Sequence, residues 1–227
     1  IVRRKLVDGL LILSLRPADS DLEQFLEADV PGVIVDASHP DLTSVIVDNV
    51  AGARMAMQHL IDLGHSKIAY ISDYADDPFN RAPVRDRYQG YRQTLHEAKI
   101  PFRKEYFREG SIDSQEACGL TLELMNLDDP PTAIFAYSDM QAIGVLEAAR
   151  EVNLRVPEDL SVVGYDDVDA ASYLQLTTIR QSLFDSGATG AHLLLEAIAQ
   201  HPMQPQEILL PTELVIRNST AAPVRKK

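Results

Sequence analysis

Short apolar runs alternate with longer amphipathic segments along this chain, and that alternation limits the possible folds more than any other feature. Residues 7–14 (VDGLLILS), 32–36 (GVIVD) and 67–72 (KIAYIS) are typical of strands that are buried on both faces. Residues 49–63 instead repeat apolar side chains at helical spacing, and Gly64 follows as a helix stop. Strands that alternate with helices predict βαβ units, an α/β class and a mainly parallel sheet.

The same periodicities predict the remaining elements. Ser20 and Ser114 are the expected N-caps of two of the helices. The pattern predicts helices at 20–28, 84–99, 114–126, 139–152 and 186–199, strands at 45–48, 133–137 and 160–165, a loop at 73–82 and an extended edge strand at 207–216.

Polar side chains stand at the ends of several predicted strands. They are Ser14, Asp36, Asp48, Ser72, Ser138 and Asp166. Ligands of open parallel sheets bind beyond the carboxyl ends of the strands, so these residues are candidates for ligand contacts. The alternative is that a strand end becomes polar only because it emerges into solvent.

Composition restricts the class of function. The chain has 227 residues, of which 45% are hydrophobic, and its formal net charge is −13. This acidity argues against a nucleic-acid surface within the chain. No apolar stretch approaches the ~20 residues of a membrane helix, so we expect no membrane association. The single cysteine, Cys118, cannot form an internal disulfide, which is consistent with a reducing cytoplasm.

The sequence offers no convincing catalytic set. It lacks the glycine-rich dinucleotide and phosphate fingerprints and the nucleophile elbow, and its six histidines have no zinc-ligand spacing. Asp166 and Asp167 form a carboxylate pair, but adjacent residues of an extended segment point in opposite directions. We therefore expect one carboxylate at a ligand site and the other in a local structural role. A binding protein without cofactor or metal is the prediction, and not an enzyme.

Eight segments together resemble the effector-binding core of the LacI/GalR family of bacterial transcription regulators, in the family's order and over nearly the whole chain. The segment 156–167 is the most specific of them. The segments are 7–12 (VDGLLI), 47–53 (VDNVAGA), 59–60 (HL), 63–69 (LGHSKIA), 87–91 (RYQGY), 139–144 (DMQAIG), 156–167 (VPEDLSVVGYDD) and 176–181 (LTTIRQ).

The resemblance implies two doubly wound parallel-sheet subdomains with a ligand cleft between them, like type I periplasmic binding proteins. It assigns residues 1–47 and 181–206 to the N-terminal subdomain, and residues 48–180 and 207–227 to the C-terminal one. The family's DNA-binding headpiece and hinge, and the first strand and helix of the N-terminal subdomain, are absent from this sequence. Because the chain begins at Ile1 without an initiator Met, we expect the natural product to extend upstream.

The resemblance also implies the ligand contacts, in which Asp36 and Asp166 accept hydrogen bonds from sugar hydroxyls and Arg87 donates two parallel bonds. The alternatives are turn capping for Asp166, an ion pair with Asp86 or a neighbour for Arg87, and an outward-turned loop for Asp36. The full set of expected ligand-binding residues is Ser14, Asp36, Arg87, Ile112, Ser138, Asp166 and Gln181.

Two of these positions depart from the family's pattern. Ile112 stands where an aromatic ring often stacks on the ligand, and Ser138 is shorter than the amide often found there. Both changes predict a roomier pocket or a different effector. A sugar or sugar derivative is the first expectation, and a purine is disfavoured because the stacking ring is missing.

The expected mechanism is that of a cytoplasmic homodimer. Effector binding changes the relative orientation of the subdomains and thereby the operator DNA affinity of a headpiece outside this chain. A periplasmic sugar-binding protein of a transport system is the main alternative, and an enzyme on the same fold is the second. The 156–167 segment favours the regulator.

Overall fold

The computed structural model describes residues 6–14, 17–75, 82–200 and 204–224, which form two compact units with one sheet each. The first unit draws on Ile1–Asp48, Asp76–Pro83 and Ser182–Pro211, and the second on Asn49–Ala75, Val84–Gln181 and Thr212–Lys227. The predicted α/β class with parallel sheets is confirmed.

The elements follow one another in the strand–helix alternation that the sequence predicts. A short 3-10 helix, Lys104–Tyr106, precedes the fifth strand. In chain order they are β1 (Leu10–Leu13), α1 (Asp19–Glu27), β2 (Gly32–Val35), β3 (Thr43–Val47), α2 (Asn49–Asp62), β4 (Ile68–Ser72), α3 (Ala82–Glu97), β5 (Phe107–Glu109), α4 (Ser114–Met125), β6 (Ala133–Ala136), α5 (Asp139–Glu151), β7 (Ser161–Asp166), α6 (Asp169–Tyr173), β8 (Thr177–Gln181), α7 (Leu183–Gln200), β9 (Glu207–Leu210) and β10 (Thr212–Val215).

The first unit is a parallel sheet in the order β1-β2-β3-β9, with apolar side chains on both of its faces. Successive residues of a strand point to opposite faces. Val33 and Val35 accordingly pack with Leu193 of α7, whereas Ile34 packs with Leu22 of α1. This double burial explains why β2 is a continuous apolar run.

The second unit has a sheet in the order β10-β8-β7-β6-β4-β5, which is parallel except for the antiparallel edge strand β10. Helices α2 and α3 cover one face around Tyr70 and Phe135. Helices α4 and α5 cover the other face around Ile134 and Val162. The sheet is doubly wound, so its parallel strands all end at one edge, where ligands of such sheets bind.

Both predicted N-caps are wrong by a small shift. Helix α1 begins one residue earlier than Ser20, and Ala18 takes the cap position without a side-chain bond. At α4 the cap is Asp113, whose carboxylate accepts from the amide of Glu116 over 2.9 Å, and Ser114 is already helical. The pattern also missed β5 and α6, since three and five residues are too few to show a period.

The carboxyl-terminal segment needs a larger correction. The single edge strand predicted at 207–216 is two strands, separated at Pro211. Strand β9 pairs in parallel with β3 and belongs to the first unit, whereas β10 pairs with β8 in the second. The assignment of residues 207–227 to one subdomain therefore fails for 207–211. Residues 1–5, and 76–81 of the predicted 73–82 loop, lie outside the described residues.

Candidate ligand-binding site

Arg87 is the centre of a polar cluster in the second unit. It lies on α3 and is buried, and its Nε atom donates to Asn49 Oδ1 over 2.9 Å. Its Nη1 atom donates to the backbone carbonyl of Tyr137 over 2.6 Å. The expected alternative was an ion pair with Asp86 or a neighbour: Asp86 pairs with Arg85 instead, whereas the neighbouring Asp166 carboxylate lies 3.6 Å from Arg87 Nη1. These bonds fix the guanidinium at the end of β6.

Two aromatic rings enclose the same guanidinium. Its central carbon lies 3.6 Å from the ring centre of Tyr165 and 4.4 Å from that of Tyr137. Burial disfavours the charged form, but Tyr137, Tyr165 and Asp166 outweigh it and hold the pKa of Arg87 above its ordinary value. Arg87 is thus a fixed cation.

Asp166 and Gln181 complete the cluster from the ends of β7 and β8. Gln181 Nε2 donates to Asp166 Oδ1 over 2.6 Å, and Arg87 Nη1 lies 3.6 Å from the same oxygen. The structure therefore brings together three of the seven expected residues. The scaffold engages Nε and Nη1 of Arg87, and the planar guanidinium carries a further donor nitrogen, Nη2.

The adjacent carboxylate of Asp167 has different partners. It accepts from Arg180 Nε and from Arg217 Nη2, each over 2.7 Å, and it is largely buried. The prediction that the two adjacent carboxylates do not face one site is confirmed, because Asp166 and Asp167 bind different partners. Asp167 fixes the turn structurally.

Ser138 and Ile112 stand at the same edge of this sheet. Ser138 is buried and caps α5, where its Oγ accepts from the amide of Gln141. The Gln141 side chain donates to the carbonyl of Ser111, next to Ile112, over 3.1 Å. Ile112 itself is 42% exposed. The capping bond uses one acceptor position of the Ser138 hydroxyl, whereas the Ile112 side chain is partly exposed.

The two expected residues of the first unit contact each other. Ser14 follows β1 and Asp36 follows β2, and Ser14 Oγ donates to Asp36 Oδ2 over 2.8 Å. Both backbones have positive φ, 53° and 60°. Asp36 Oδ1 is buried and has no hydrogen-bond partner among the residues that the structure describes. A buried carboxylate oxygen in that state is an acceptor for a ligand donor.

The sequence pattern missed two buried polar residues of the second-unit cluster. Asn49 is the acceptor for Arg87, and Gln141 ties the ends of β4 and β5 by donating to the carbonyls of Ser72 and Gly110. The sequence offered one signal for these two residues, because each is polar and lies in the first turn of a helix that follows a strand. It was weak, because such positions usually serve as caps.

The arrangement suits recognition of a small ligand rich in hydroxyl groups. It supplies a cation, carboxylate oxygens and an amide, all fixed by bonds to the scaffold. Among the described residues, no group of three or more His, Cys, Asp or Glu side chains is placed to hold a metal ion. No described helix combines the length and apolar character needed to cross a membrane.

Comparison with known proteins defines the class. The periplasmic binding protein-like domain family matches residues 57–220. The repressor PurR of Actinobacillus pleuropneumoniae serotype 3 is 35% identical over 222 residues, covering 95% of this chain and 65% of PurR. This chain is therefore a periplasmic binding protein-like domain, and it spans about two thirds of the length of the PurR relatives that it matches.

Solved structures define the family within this class. The complex of the transcriptional regulator CelR with cellobiose is 33% identical, with a TM-score of 0.84, and covers 95% of this chain and 66% of CelR. A LacI family regulator from Enterococcus faecium with bound ribose is 30% identical, with a TM-score of 0.86, over 97% of this chain and 82% of that one. The chain belongs to the LacI/GalR family.

Proposed function

We propose that this chain is the effector-binding domain of a LacI-type transcriptional regulator and that its effector is a sugar or a sugar derivative. The Arg87–Asp166–Gln181 cluster carries the proposal. A planar donor and a carboxylate side by side match the adjacent hydroxyls of a sugar ring. Ser14 and Asp36 of the first unit add a second hydroxyl–carboxylate pair, as the family resemblance implies.

Two solved relatives support the ligand class, since one holds cellobiose and the other ribose. The accessible aliphatic side chain of Ile112 can cover the apolar face of a sugar ring, although it offers no aromatic stacking. Charge-assisted hydrogen bonds to such a ligand each contribute roughly 1.5–3 kcal/mol.

The regulatory part of the proposal concerns the complete protein. A homodimer in the cytoplasm would contact operator DNA through a region outside this chain, because the chain's own net charge of −13 disfavours DNA contact. The effector shifts operator affinity by binding one conformation better than the other. Family membership supports this reading over a transport protein, since PurR is described as a transcriptional repressor and the Enterococcus faecium relative as a transcriptional regulator.

Thermal unfolding of this chain with ribose, cellobiose and glucose 6-phosphate tests the ligand site. At least one sugar should raise the Tm of the native chain, and Asp166→Asn and Arg87→Lys should each remove that shift. Lysine keeps the buried charge, whereas alanine would leave Asn49 and the Tyr137 carbonyl without their donor. The matched controls are Asp159→Asn and Arg155→Lys, an exposed i,i+4 pair of the same unit, which should respond like the native chain.

Equal ligand shifts in the site variants and in the controls would reject the site. The regulator is tested separately with the complete protein, whose operator affinity should change when the active sugar is added. An unchanged operator affinity, in a protein that still binds the sugar, would reject the regulatory role and leave the ligand site intact.

A further inference from the structure

Asp139 is a buried carboxylate next to the proposed ligand site, and it joins three segments of the second unit. It is the first residue of α5 and is fully buried. Its Oδ1 accepts from Thr178 Oγ1 on β8 over 2.6 Å, and its Oδ2 accepts from the backbone amide of Val168 over 2.9 Å. Val168 follows β7 and ends the turn that begins at Asp166. Asp139 thus fixes both the strand and the turn.

That turn is strained. Asp166 has a φ of 117° and Asp167 one of 58°, both in the left-handed region that favours glycine. Such residues cost about 1–3 kcal/mol each and persist only where the surroundings hold them. Here the two arginines bound to Asp167 hold one side of the turn, and the Asp139 carboxylate holds the other through the amide of Val168.

The protein leaves a fitted space for this carboxylate. A Cβ atom on Gly164 of β7 would lie 2.2 Å from Asp139 Oδ1, closer than any two such atoms can approach. Glycine at this position therefore admits the carboxylate against the strand backbone.

The charge of Asp139 depends on its neighbours. The pKa of this carboxyl group is raised to about 7: burial is the largest cause, the bonds from Thr178 and Val168 oppose it, and the carboxylates of Asp166 and Asp167 add to it. The charged groups that face it are those two aspartates, which pair in turn with Arg87, Arg180 and Arg217. Gly164 of β7 and Thr178 of β8 contribute no charge.

We propose that Asp139 is a positioning residue for Asp166 and that it links ligand binding to the release of a proton. This inference rests on the proposed function in placing the ligand at Asp166. A ligand that donates hydrogen bonds to Asp166 spreads the negative charge there and weakens its repulsion of the ionised Asp139. Ionised Asp139 in turn accepts both bonds that hold the turn. Because such coupling is reciprocal, ligand affinity rises as the pH rises through neutrality.

The first test needs no ligand. The amide resonance of Val168 in 15N-labelled protein is followed from about pH 5.5 to about pH 8.5, which brackets the transition. We expect a titration near neutral pH that is absent in Asp139→Asn, which folds as a mimic of the protonated acid. Asp166→Asn removes the neighbouring charge and should move the midpoint to lower pH. Asp159→Asn, which alters an exposed carboxylate paired with Arg155, should leave it in place.

The second test uses ribose, titrated calorimetrically at about pH 6 and pH 8. Affinity should rise roughly fivefold toward the higher pH, the lower end of typical coupling, and Asp139→Asn should bind with little pH dependence. A midpoint that does not move in Asp166→Asn, or a Val168 titration that persists in Asp139→Asn, would overturn the inference. Equal ribose affinity of the native protein at both pH values would overturn the link between ligand and proton. Failure of ribose to bind at either pH would count against the proposed ligand class, whereas the Asp166→Asn midpoint tests the interaction of the two carboxylates without any ligand.

Discussion

Arg87 Nε donates to Asn49 Oδ1 over 2.9 Å, and both side chains are buried. The two residues stand on α3 and α2, 38 positions apart in the chain. A buried charge needs every available bond, because unpaired burial of a cation is costly. Asn49 is therefore part of the support that keeps Arg87 in place beside Asp166.

Replacing Asn49 with leucine tests that support. The substitution leaves Arg87 Nε buried without an acceptor, so the free energy of unfolding should fall by about 1–3 kcal/mol. Urea unfolding followed by circular dichroism measures it. Gln58→Leu is the matched control, since it removes an exposed amide that donates to Asp62 on the same helix, and it should change stability by less than about 0.5 kcal/mol. Equal effects of the two substitutions would show that Asn49 does not support Arg87.

Much of the fold was predictable because the signal is local. The apolar run at 32–36 and the helical spacing at 49–63 each fixed an element to within a few residues. The split of the final segment was not predictable, since β9 and β10 are both only four residues long and only long-range pairing places them in different sheets. Pro211 between them indicated an interruption of the strand, but not that the two halves join different sheets.

The residues of the candidate site likewise divide into those that the sequence indicated and those that only long-range contacts reveal. Asp166 and Gln181 stand at strand ends, and the family resemblance was enough to single them out. Asn49 and Asp139 were not singled out, because their importance lies in contacts with residues 38 and 39 positions away. The sequence indicates candidate residues at strand ends more readily than it indicates the buried residues that hold them in place.

Gly164→Ala should destabilise the second unit. The added Cβ atom would meet Asp139 Oδ1 at 2.2 Å and Leu176 Cδ2 at 3.0 Å. Overpacking of this kind costs about 1–3 kcal/mol, and here it also displaces a hydrogen-bonded carboxylate. Gly119→Ala on α4 is the opposite control, because its Cβ meets nothing within 4 Å and should stabilise the helix by about 0.5–1 kcal/mol. Urea midpoints that shift in the same direction for both variants would contradict the packing described.

Asp36→Asn should separate ligand binding from stability in the first unit. Asparagine tolerates the positive φ of 60° and still accepts from Ser14, so stability without ligand should change by less than about 0.5 kcal/mol. Its amide nitrogen cannot accept from a ligand hydroxyl as the buried carboxylate oxygen can. The Tm shift with the active sugar should therefore shrink. Asp41→Asn replaces an exposed aspartate of the same unit and should keep the full Tm shift. If Asp36→Asn also kept the full Tm shift, Asp36 would not belong to the ligand site.

The stability of the second unit should depend on pH through Asp139. The folded-state pKa is about 7, above the ordinary 3.8 that applies when the chain is unfolded. Between these values the folded protein holds a proton that the unfolded chain has lost, so the stabilisation is complete below about pH 4 and is lost as the pH rises to 7. From about pH 5 to pH 8 the native protein should lose about 2–3 kcal/mol relative to Asp139→Asn in urea unfolding.

Thr178→Val tests the direction of this pH dependence of stability. The hydroxyl of Thr178 lowers the pKa of Asp139 by donating to the ionised form, so its removal should raise the pKa. The loss of stability should then extend to higher pH than in the native protein. Parallel stability curves for the native protein and Asp139→Asn from pH 5 to 8 would show that this carboxyl group is ionised throughout, and burial would then not govern its charge.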